Sequence, residues 1–331
     1  MLLKQAKQNS MEMLAFTFLI AIGMSIAMFT GQTIQYMHTP ENGTPLFNTI
    51  YQFFFDSHIS AWTQITSLIL LAIEILLTII LNSDFELTRA KWPVFMLIYS
   101  SIALSYIPNC TLLPEQLASI FTIFGIINIM ACHNIDKPTF RFFDASLFFG
   151  IATILCITAV ITLPLAIAAL IFFRMVRLRE ISAVLLGYIT PIIFYLAIYY
   201  ITEGTIAPIS EYLSEKFNNL HRPIITYNSL ICIAIIIPML TTASILLIRE
   251  YNKYNLFCSR SYRLMFTMFI TTTITAALPW FGPQAMRLSL MPISLLYVTV
   301  FNEQKYGRWH DIYFILFIVV NITMQWLWYR L

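Results

Sequence analysis

Residues 143–180 read FDASLFFGIATILCITAVITLPLAIAALIFFRMVRLRE, and this stretch decides the fold of the chain. No charged side chain lies between Asp144 and Arg174, and an apolar run of about 18 or more uncharged residues is typical of a membrane span. The 29 uncharged residues are too many for one upright helix, and Pro164 divides them. The stretch therefore predicts two short helices that enter the membrane and return, ending at a basic cytoplasmic turn.

The composition of the whole chain agrees with a membrane protein. Of its 331 residues 59% are hydrophobic and only 11% are charged, whereas a soluble domain carries about 25% charged residues. The five cysteines form no C-x-x-C motif, and their odd number argues against a disulfide framework. We expect neither a metal centre nor a nucleic-acid partner. The lipid bilayer is the expected partner, and the cofactor content stays open.

Further apolar runs extend this pattern along the chain. The run at 13–29 is longer than a usual signal-peptide core and is not followed at once by a cleavage site, so we interpret it as the first span. We expect one polytopic all-α domain over 1–331 with about eleven transmembrane helices. The predicted spans are 13–29, 61–81, 93–113, 116–132, 145–161, 163–173, 181–201, 224–247, 264–281, 288–301 and 312–328.

The distribution of positive charge predicts the orientation. With the N-terminus in the cytoplasm, 15 of the 19 Lys and Arg residues fall in cytoplasmic segments, as the positive-inside rule requires. Merging the two short helices of residues 143–180 into one span would invert every later segment and place nine further cations outside. The charge count therefore favours the broken pair.

The first long outer loop, 31–60, contains a predicted surface helix. Thr44 is a suitable N-cap and Pro45 a suitable first residue. The apolar side chains that follow share one helical face, which predicts an amphipathic helix at the membrane interface. They are Leu46, Phe47, Ile50, Tyr51, Phe54 and Phe55.

The second long outer loop, 202–223, predicts a second surface helix. Apolar residues recur there with helical period at Ile209, Tyr212, Leu213, Phe217 and Leu220. Glu211, Glu215 and Lys216 lie off that face and are expected to meet solvent.

Glu74 is the ionisable residue inside a predicted span, which makes it a candidate functional group. The alternative is a carboxyl group that ties its helix to a Ser, Thr or Asn of a neighbouring helix. No Lys or Arg is expected at the depth of Glu74, and this favours the structural alternative.

Acidic and histidine side chains of the first outer loop are candidates for catalysis. Asp56 or Glu41 can act as a general base, and together with His38 and His58 they can bind a divalent metal. Their spacing matches no compact motif, so a solvated loop is the simpler interpretation.

Three outer-face cations, Arg222, Arg287 and Lys216, are candidates for binding a lipid-linked phosphate, since Arg prefers bidentate contacts with phosphate. Anchoring to ordinary lipid headgroups is an equally good interpretation. Arg174, Arg177 and Arg179 on the cytoplasmic side are most simply topology determinants and inner-leaflet anchors. Glu180 follows them and offsets their charge.

The stretch 147–200 resembles an uncharacterised family of Bacteroidota inner-membrane proteins, described only as a domain of unknown function. The residues that carry this resemblance are Arg174, Arg179, Glu180, Gly187 and Pro191, together with the R-L-x-L-x-P motif from Arg287 to Pro292. The resemblance covers most of the chain and implies no established activity.

More broadly, the chain resembles polytopic glycosyltransferases and glycan polymerases that use polyprenyl-phosphate sugars. Those proteins also carry surface helices in outer loops and a pair of short helices in the middle. They place an acidic residue in the first outer loop, and this resemblance implies that role for Glu41 or Asp56.

Three functions follow as hypotheses. The first is an envelope glycan enzyme in which Asp56 or Glu41 activates an acceptor hydroxyl and Arg222 or Arg287 stabilises the departing lipid phosphate. The second is a non-catalytic membrane subunit that binds other membrane proteins through its surface helices. The third is a transporter that uses Glu74.

Overall fold

A computed structural model describes residues 44–55, 61–88, 92–105, 113–134, 138–218, 256–278, 280–281, 283–302 and 314–323, with residues 241 and 312. Every regular element in these ranges is helical. The α-helices are α1 (Pro45–Phe55), α2 (Ala61–Phe85), α3 (Trp92–Ser105), α4 (Pro114–Ala131), α5 (Thr139–Leu155), α6 (Thr162–Phe172), α7 (Leu178–Glu203), α8 (Ala207–Asn218), α9 (Leu256–Ala277), α10 (Leu290–Asn302) and α11 (Phe314–Thr323). Three 3-10 helices join them, at Cys132–Asn134, Ile157–Ile161 and Pro283–Ser289.

Three of these helices are long and apolar enough to cross a membrane: Trp62–Phe85, Pro114–Ala131 and Leu178–Glu203. Four shorter apolar helices accompany them. The expectation of an all-α membrane protein is therefore confirmed, whereas the number of eleven spans and their orientation stay predictions. The spans predicted at 13–29 and 224–247 lie outside the described residues.

The stretch 143–180 contains two helices, α5 and α6, separated by a break, as predicted. The break lies at Cys156, whose backbone is extended (φ −144°, ψ 122°), and a short 3-10 helix leads from there into α6. We had placed the break at Pro164. Pro164 is instead the third residue of α6, where a helix requires no N–H donor and proline is tolerated.

Helices α4, α5 and α7 pack closely because glycines face their neighbours. A Cβ atom at Gly187 of α7 would lie 2.4 Å from the carbonyl oxygen of Phe143 in α5. One at Gly150 of α5 would lie 2.5 Å from the Pro191 ring of α7. Small residues that let backbones approach are typical of helix packing in membranes.

Several predicted helix boundaries differ from the structure. Pro114 and Glu115 form the first turn of α4, where the sequence analysis had expected a loop. Helix α9 begins at Leu256, eight residues before the predicted span. The segment between the predicted spans 264–281 and 288–301 contains the 3-10 helix Pro283–Ser289. Helix α1 agrees with its prediction, because the Phe47 N–H donates to Thr44 Oγ1 at 3.4 Å.

Segments predicted on the cytoplasmic side contact one another. Tyr262 Oη donates to the Leu87 carbonyl oxygen at 2.7 Å, and the His133 ring stacks on Phe257 at 4.4 Å between ring centroids. Phe173, at the end of the broken pair, also lies against Phe257. These segments therefore gather at one end of the bundle.

Segments predicted on the outer side likewise contact one another. Thr44 Oγ1 donates to the Ile154 carbonyl oxygen at the end of α5, and α1 packs against α8. The Phe217 ring of α8 meets the Trp280 ring edge to face at 6.2 Å. We call this region the α8 end of the bundle.

Candidate functional site

Glu74 lies on α2 and is fully buried in the protein. Its Oε1 atom accepts a hydrogen bond from Ser119 Oγ of α4, and its Oε2 atom accepts one from Tyr99 Oη of α3 at 3.2 Å. Arg287 Nη2 also donates to Oε2, at 3.3 Å. The helix α2 thus delivers a carboxylate to the junction of α3, α4 and the 3-10 helix that precedes α10. These four residues form the charged centre of the site.

Arg287 is the partner that the sequence analysis did not expect. The side chains of Arg287 and Glu74 have no exposed surface, and the expectation that no cation lies at the depth of Glu74 is wrong. Arg287 was also expected at the outer face. The 3-10 helix Pro283–Ser289 packs against α4 and α9 and directs Arg287 into the bundle. Anchoring of Arg287 to ordinary headgroups is therefore ruled out in this structure.

A buried polar seam leads along α2 from its first turn to the charged centre. Ser67 Oγ donates to Gln116 Oε1 at 2.9 Å, while Gln116 Nε2 donates to the Ser67 carbonyl oxygen at 2.6 Å. Ser119 Oγ, which reaches Glu74, also contacts the Gln116 carbonyl oxygen at 2.8 Å. One turn before Ser67, Gln64 Oε1 is buried and accepts no hydrogen bond within the described part of the chain. Buried polar groups in apolar surroundings are costly, so this seam is an unusual feature of a membrane helix.

A second buried charged group lies at the α8 end. Glu115, in the first turn of α4, is fully buried, and Lys216 of α8 is 8% exposed. The charges of both residues act on the thiol of Cys156 at the break between α5 and α6. Burial raises the pKa of Tyr212 of α8, and Cys156 and Glu115 nearby raise it further. Glu115, Lys216 and Tyr212 therefore lie near enough to Cys156 for their charges to interact with it.

Lys216 does not lie on the solvent side of α8, where the sequence predicted it. Lys216 was expected on the solvent side of the second surface helix and among the outer-face cations. The side chains that face the bundle instead recur at Ile209, Tyr212, Leu213 and Lys216, and Phe217 is 48% exposed. This spacing of three and four residues is the regular face of an α-helix, so Lys216 completes the stripe that apolar residues begin.

Helix α4 connects the two charged groups. Glu115 and Ser119 are four residues apart and therefore lie on the same face of α4, one turn from each other. A small apolar cluster fills the space beside them, formed by Ala118, Ala152, Cys156, Ala159 and Leu288. Leu288 follows Arg287 directly. The two acids and two bases balance in charge, which lowers the cost of burying them.

At the opposite end of the bundle, Glu180 is also buried. Its side chain is 3% exposed, and Oε1 accepts a hydrogen bond from Thr139 Oγ1 at 3.4 Å. The neighbouring Arg174, Arg177 and Arg179 are exposed, in agreement with their expected role as surface anchors. Glu180 therefore links α7 to α5, in addition to following these three arginines in the sequence.

The remaining candidates of the first outer loop cannot be placed. Glu41, Asp56, His38 and His58 lie outside the described residues, and so does Arg222. Within the described residues, no three His, Cys, Asp or Glu side chains are close enough together to hold a metal ion.

The sequence contained signals for two residues of the site that we missed. Pro114 followed by Glu115 is a typical helix start, with proline at the first position and an acid in the first turn. Lys216 continues the period of Ile209 and Tyr212. Tyr99 carried no such signal, because a tyrosine in an apolar run is as typical of a core as of a polar site.

No protein-family model, curated protein or solved structure matches the chain at the significance required. The two resemblances described for the sequence therefore stay predictions.

Proposed function

We propose that this protein is an envelope glycan enzyme that acts on a lipid-linked sugar at the outer face of a bacterial inner membrane. The observation that supports this best is the burial of Arg287 and Lys216 inside the bundle. Both are candidates for binding a lipid phosphate, and each lies near a buried carboxylate, Arg287 beside Glu74 and Lys216 near Glu115. A cation that served only as a headgroup anchor would stay at the surface and avoid the cost of burial.

In this proposal the charged centre receives the phosphate of the lipid carrier. The guanidinium group of Arg287 presents several N–H donors in a fork that matches phosphate oxygens, and it stabilises negative charge that develops on the leaving phosphate. Asp56 or Glu41 of the first outer loop serves as the base that activates the acceptor hydroxyl. Arg222 and Lys216 add positive charge for the same phosphate.

A transporter is the second candidate, and the polar seam favours it. Gln64, Ser67 and Gln116 provide hydrogen-bonding groups from the first turn of α2 towards Glu74. Intramembrane carboxylates reached by polar side chains are typical of ion and proton pathways. In this candidate Glu74 binds and releases the coupled ion.

The test compares single variants in cells at equal protein levels. Arg287→Gln, Asp56→Asn and Glu41→Gln are assayed for lipid-linked glycan by mass spectrometry, with Arg179→Gln as the matched control at an exposed arginine. Loss of product with Arg287→Gln and with one loop variant, but not with the control, supports the enzyme. Because Lys keeps the charge but not the fork, Arg287→Lys is expected to restore only part of the product.

Two other outcomes contradict the enzyme. Normal product in every variant, together with a partner protein that copurifies in fixed ratio, indicates the non-catalytic subunit. Normal product together with loss of ion-driven uptake in Glu74→Gln vesicles indicates the transporter.

A further inference from the structure

The hydrogen bonds of Glu74 are distributed in a way that leaves Arg287 replaceable. Ser119 Oγ donates to Oε1, and Tyr99 Oη donates to Oε2. Arg287 shares Oε2 with Tyr99. Each carboxylate oxygen therefore keeps one neutral donor when the guanidinium group moves away, and the carboxyl group stays hydrogen-bonded in the protein interior.

The contact between Arg287 and Glu74 is also longer than a strong hydrogen bond. Arg287 Nη2 lies 3.3 Å from Glu74 Oε2, whereas charge-assisted hydrogen bonds of this kind are about 2.8 Å long. A phosphate offers at least two free oxygens to the guanidinium fork and can bind it bidentately. An anion that reaches Arg287 can therefore replace the carboxylate with better geometry.

We propose that Glu74 is a resident counter-ion, which holds Arg287 in the empty protein and gives it up to the phosphate of the lipid-linked substrate. This inference rests on the proposed function, because it adds to the phosphate site an exchange between two anions. Glu74 makes the empty site neutral. Glu74 also excludes anions that bind the guanidinium group of Arg287 too weakly to displace the carboxylate.

Charge balance requires a proton in the exchange. A phosphate beside ionised Glu74 would bring two negative charges together in apolar surroundings, so Glu74 takes up one proton from solvent as the phosphate binds. The protonated carboxyl group then donates one hydrogen bond in place of accepting one. The titratable and charged groups around it are Tyr99 of α3 and Arg287, with Glu115 one turn away from Ser119 on α4. The O–H bond that Glu74 gains is balanced by the one that the solvent donor loses, and no other covalent bond forms or breaks in this step.

The experiment measures the binding of three probes to the purified full chain in phosphatidylcholine nanodiscs. The probes are a polyprenyl phosphate, phosphatidylglycerol and inorganic phosphate. Glu74→Gln keeps the shape of the side chain and removes its charge, and Glu180→Gln is the matched control at a buried acid of the opposite end. A binding-competent state that is populated at about 10% or less lowers the apparent affinity in the same proportion. In Glu74→Gln no carboxylate competes for Arg287, so this variant is expected to bind polyprenyl phosphate at least about tenfold more tightly than wild type.

The pH dependence gives a second measurement that needs no variant. Wild-type affinity is expected to rise as the pH falls from about 8 to about 6, because proton uptake accompanies binding. Protonation of the ligand itself acts in the opposite direction. Glu74→Gln is expected to lose the rise.

The outcomes separate this inference from the proposed function. Binding that Arg287→Gln abolishes but Glu74→Gln does not strengthen overturns the counter-ion and keeps the phosphate site. An equal gain in Glu180→Gln also overturns it, because the effect would then be general electrostatics. Absence of binding in wild type and in Glu74→Gln overturns the phosphate site itself. Equal binding of phosphatidylglycerol supports anion exchange but overturns the lipid-linked sugar as its purpose.

Discussion

Glu74 and Arg287 are separated by 213 positions in the sequence and form an ion pair without exposed surface. Taking two charges out of water is costly, and the attraction between them compensates only when both are present. Removing one partner leaves a buried charge unbalanced, at a cost of about 3–5 kcal/mol, whereas removing both costs less. The pair is thus a poor source of stability but a strong constraint on how α2 and the 3-10 helix before α10 are placed.

At this scale we predict that Arg287→Gln lowers the free energy of unfolding by about 3–5 kcal/mol. The double variant Glu74→Gln/Arg287→Gln is expected to recover a large part of the loss, because neither charge then stays unbalanced. Thermal unfolding of the purified variants, combined in a double-mutant cycle, measures the coupling. A double variant as unstable as the sum of the two single variants would mean that the side chains do not interact.

Helix packing at the scale of elements depends on the approach of α5 and α7. The backbone of α5 occupies the space where a side chain of Gly187 would begin, since Phe143 oxygen lies 2.4 Å from that point. A backbone atom cannot relieve such a clash by a change of rotamer, as a side-chain atom can. Gly187 therefore fixes the distance between the two helices, and Glu180 of α7 bonds to Thr139 of α5 two turns away.

We predict that Gly187→Ala destabilises the protein by about 1–3 kcal/mol, the usual cost of an overpacked contact. Helix propensity alone predicts the reverse, a gain of about 1 kcal/mol. Ser182→Ala, at an exposed position of the same helix, is the control. An unfolding temperature of Gly187→Ala equal to or above that of wild type would contradict the close packing.

At the scale of the whole molecule, the described segments divide into two ends that match the two sides expected from the charge count. Contacts of Tyr262 with Leu87 and of Phe257 with His133 join the segments expected in the cytoplasm. Contacts between α1, α5 and α8 join those expected outside. The return of the chain at Cys156 makes this division possible.

The orientation itself is predicted to place Ser210 of α8 outside and Arg179 inside. Each is exposed, and each is replaced by cysteine in a background without the five native cysteines. A membrane-impermeant maleimide is expected to label Ser210→Cys in intact cells and Arg179→Cys only after permeabilisation. The reverse pattern would refute the return at Cys156, because a single span in place of α5 and α6 inverts every later segment. Labelling of both in intact cells would mean that α7 does not cross the membrane.

Local rules were sufficient for much of the helical framework. The start of α1 at Thr44 and Pro45, the broken pair, and the helices of residues 61–85 and 178–203 follow from capping preferences and from uncharged apolar length. These features depend on neighbours in the sequence, so they can be predicted from it. Boundaries failed where packing decides them, as at Cys156 and at the first turn of α4.

The sequence by itself determined that this chain is an all-α membrane protein and that Glu74 is a costly group inside it. Only the tertiary structure decided what Glu74 does there, because its partners come from α3, α4 and the segment before α10. Arg287 lies between two predicted spans, so the sequence alone placed it at the outer face. Packing of the 3-10 helix against α4 turned it inward, where the low dielectric makes a pairing with Glu74 far stronger than it would be in water.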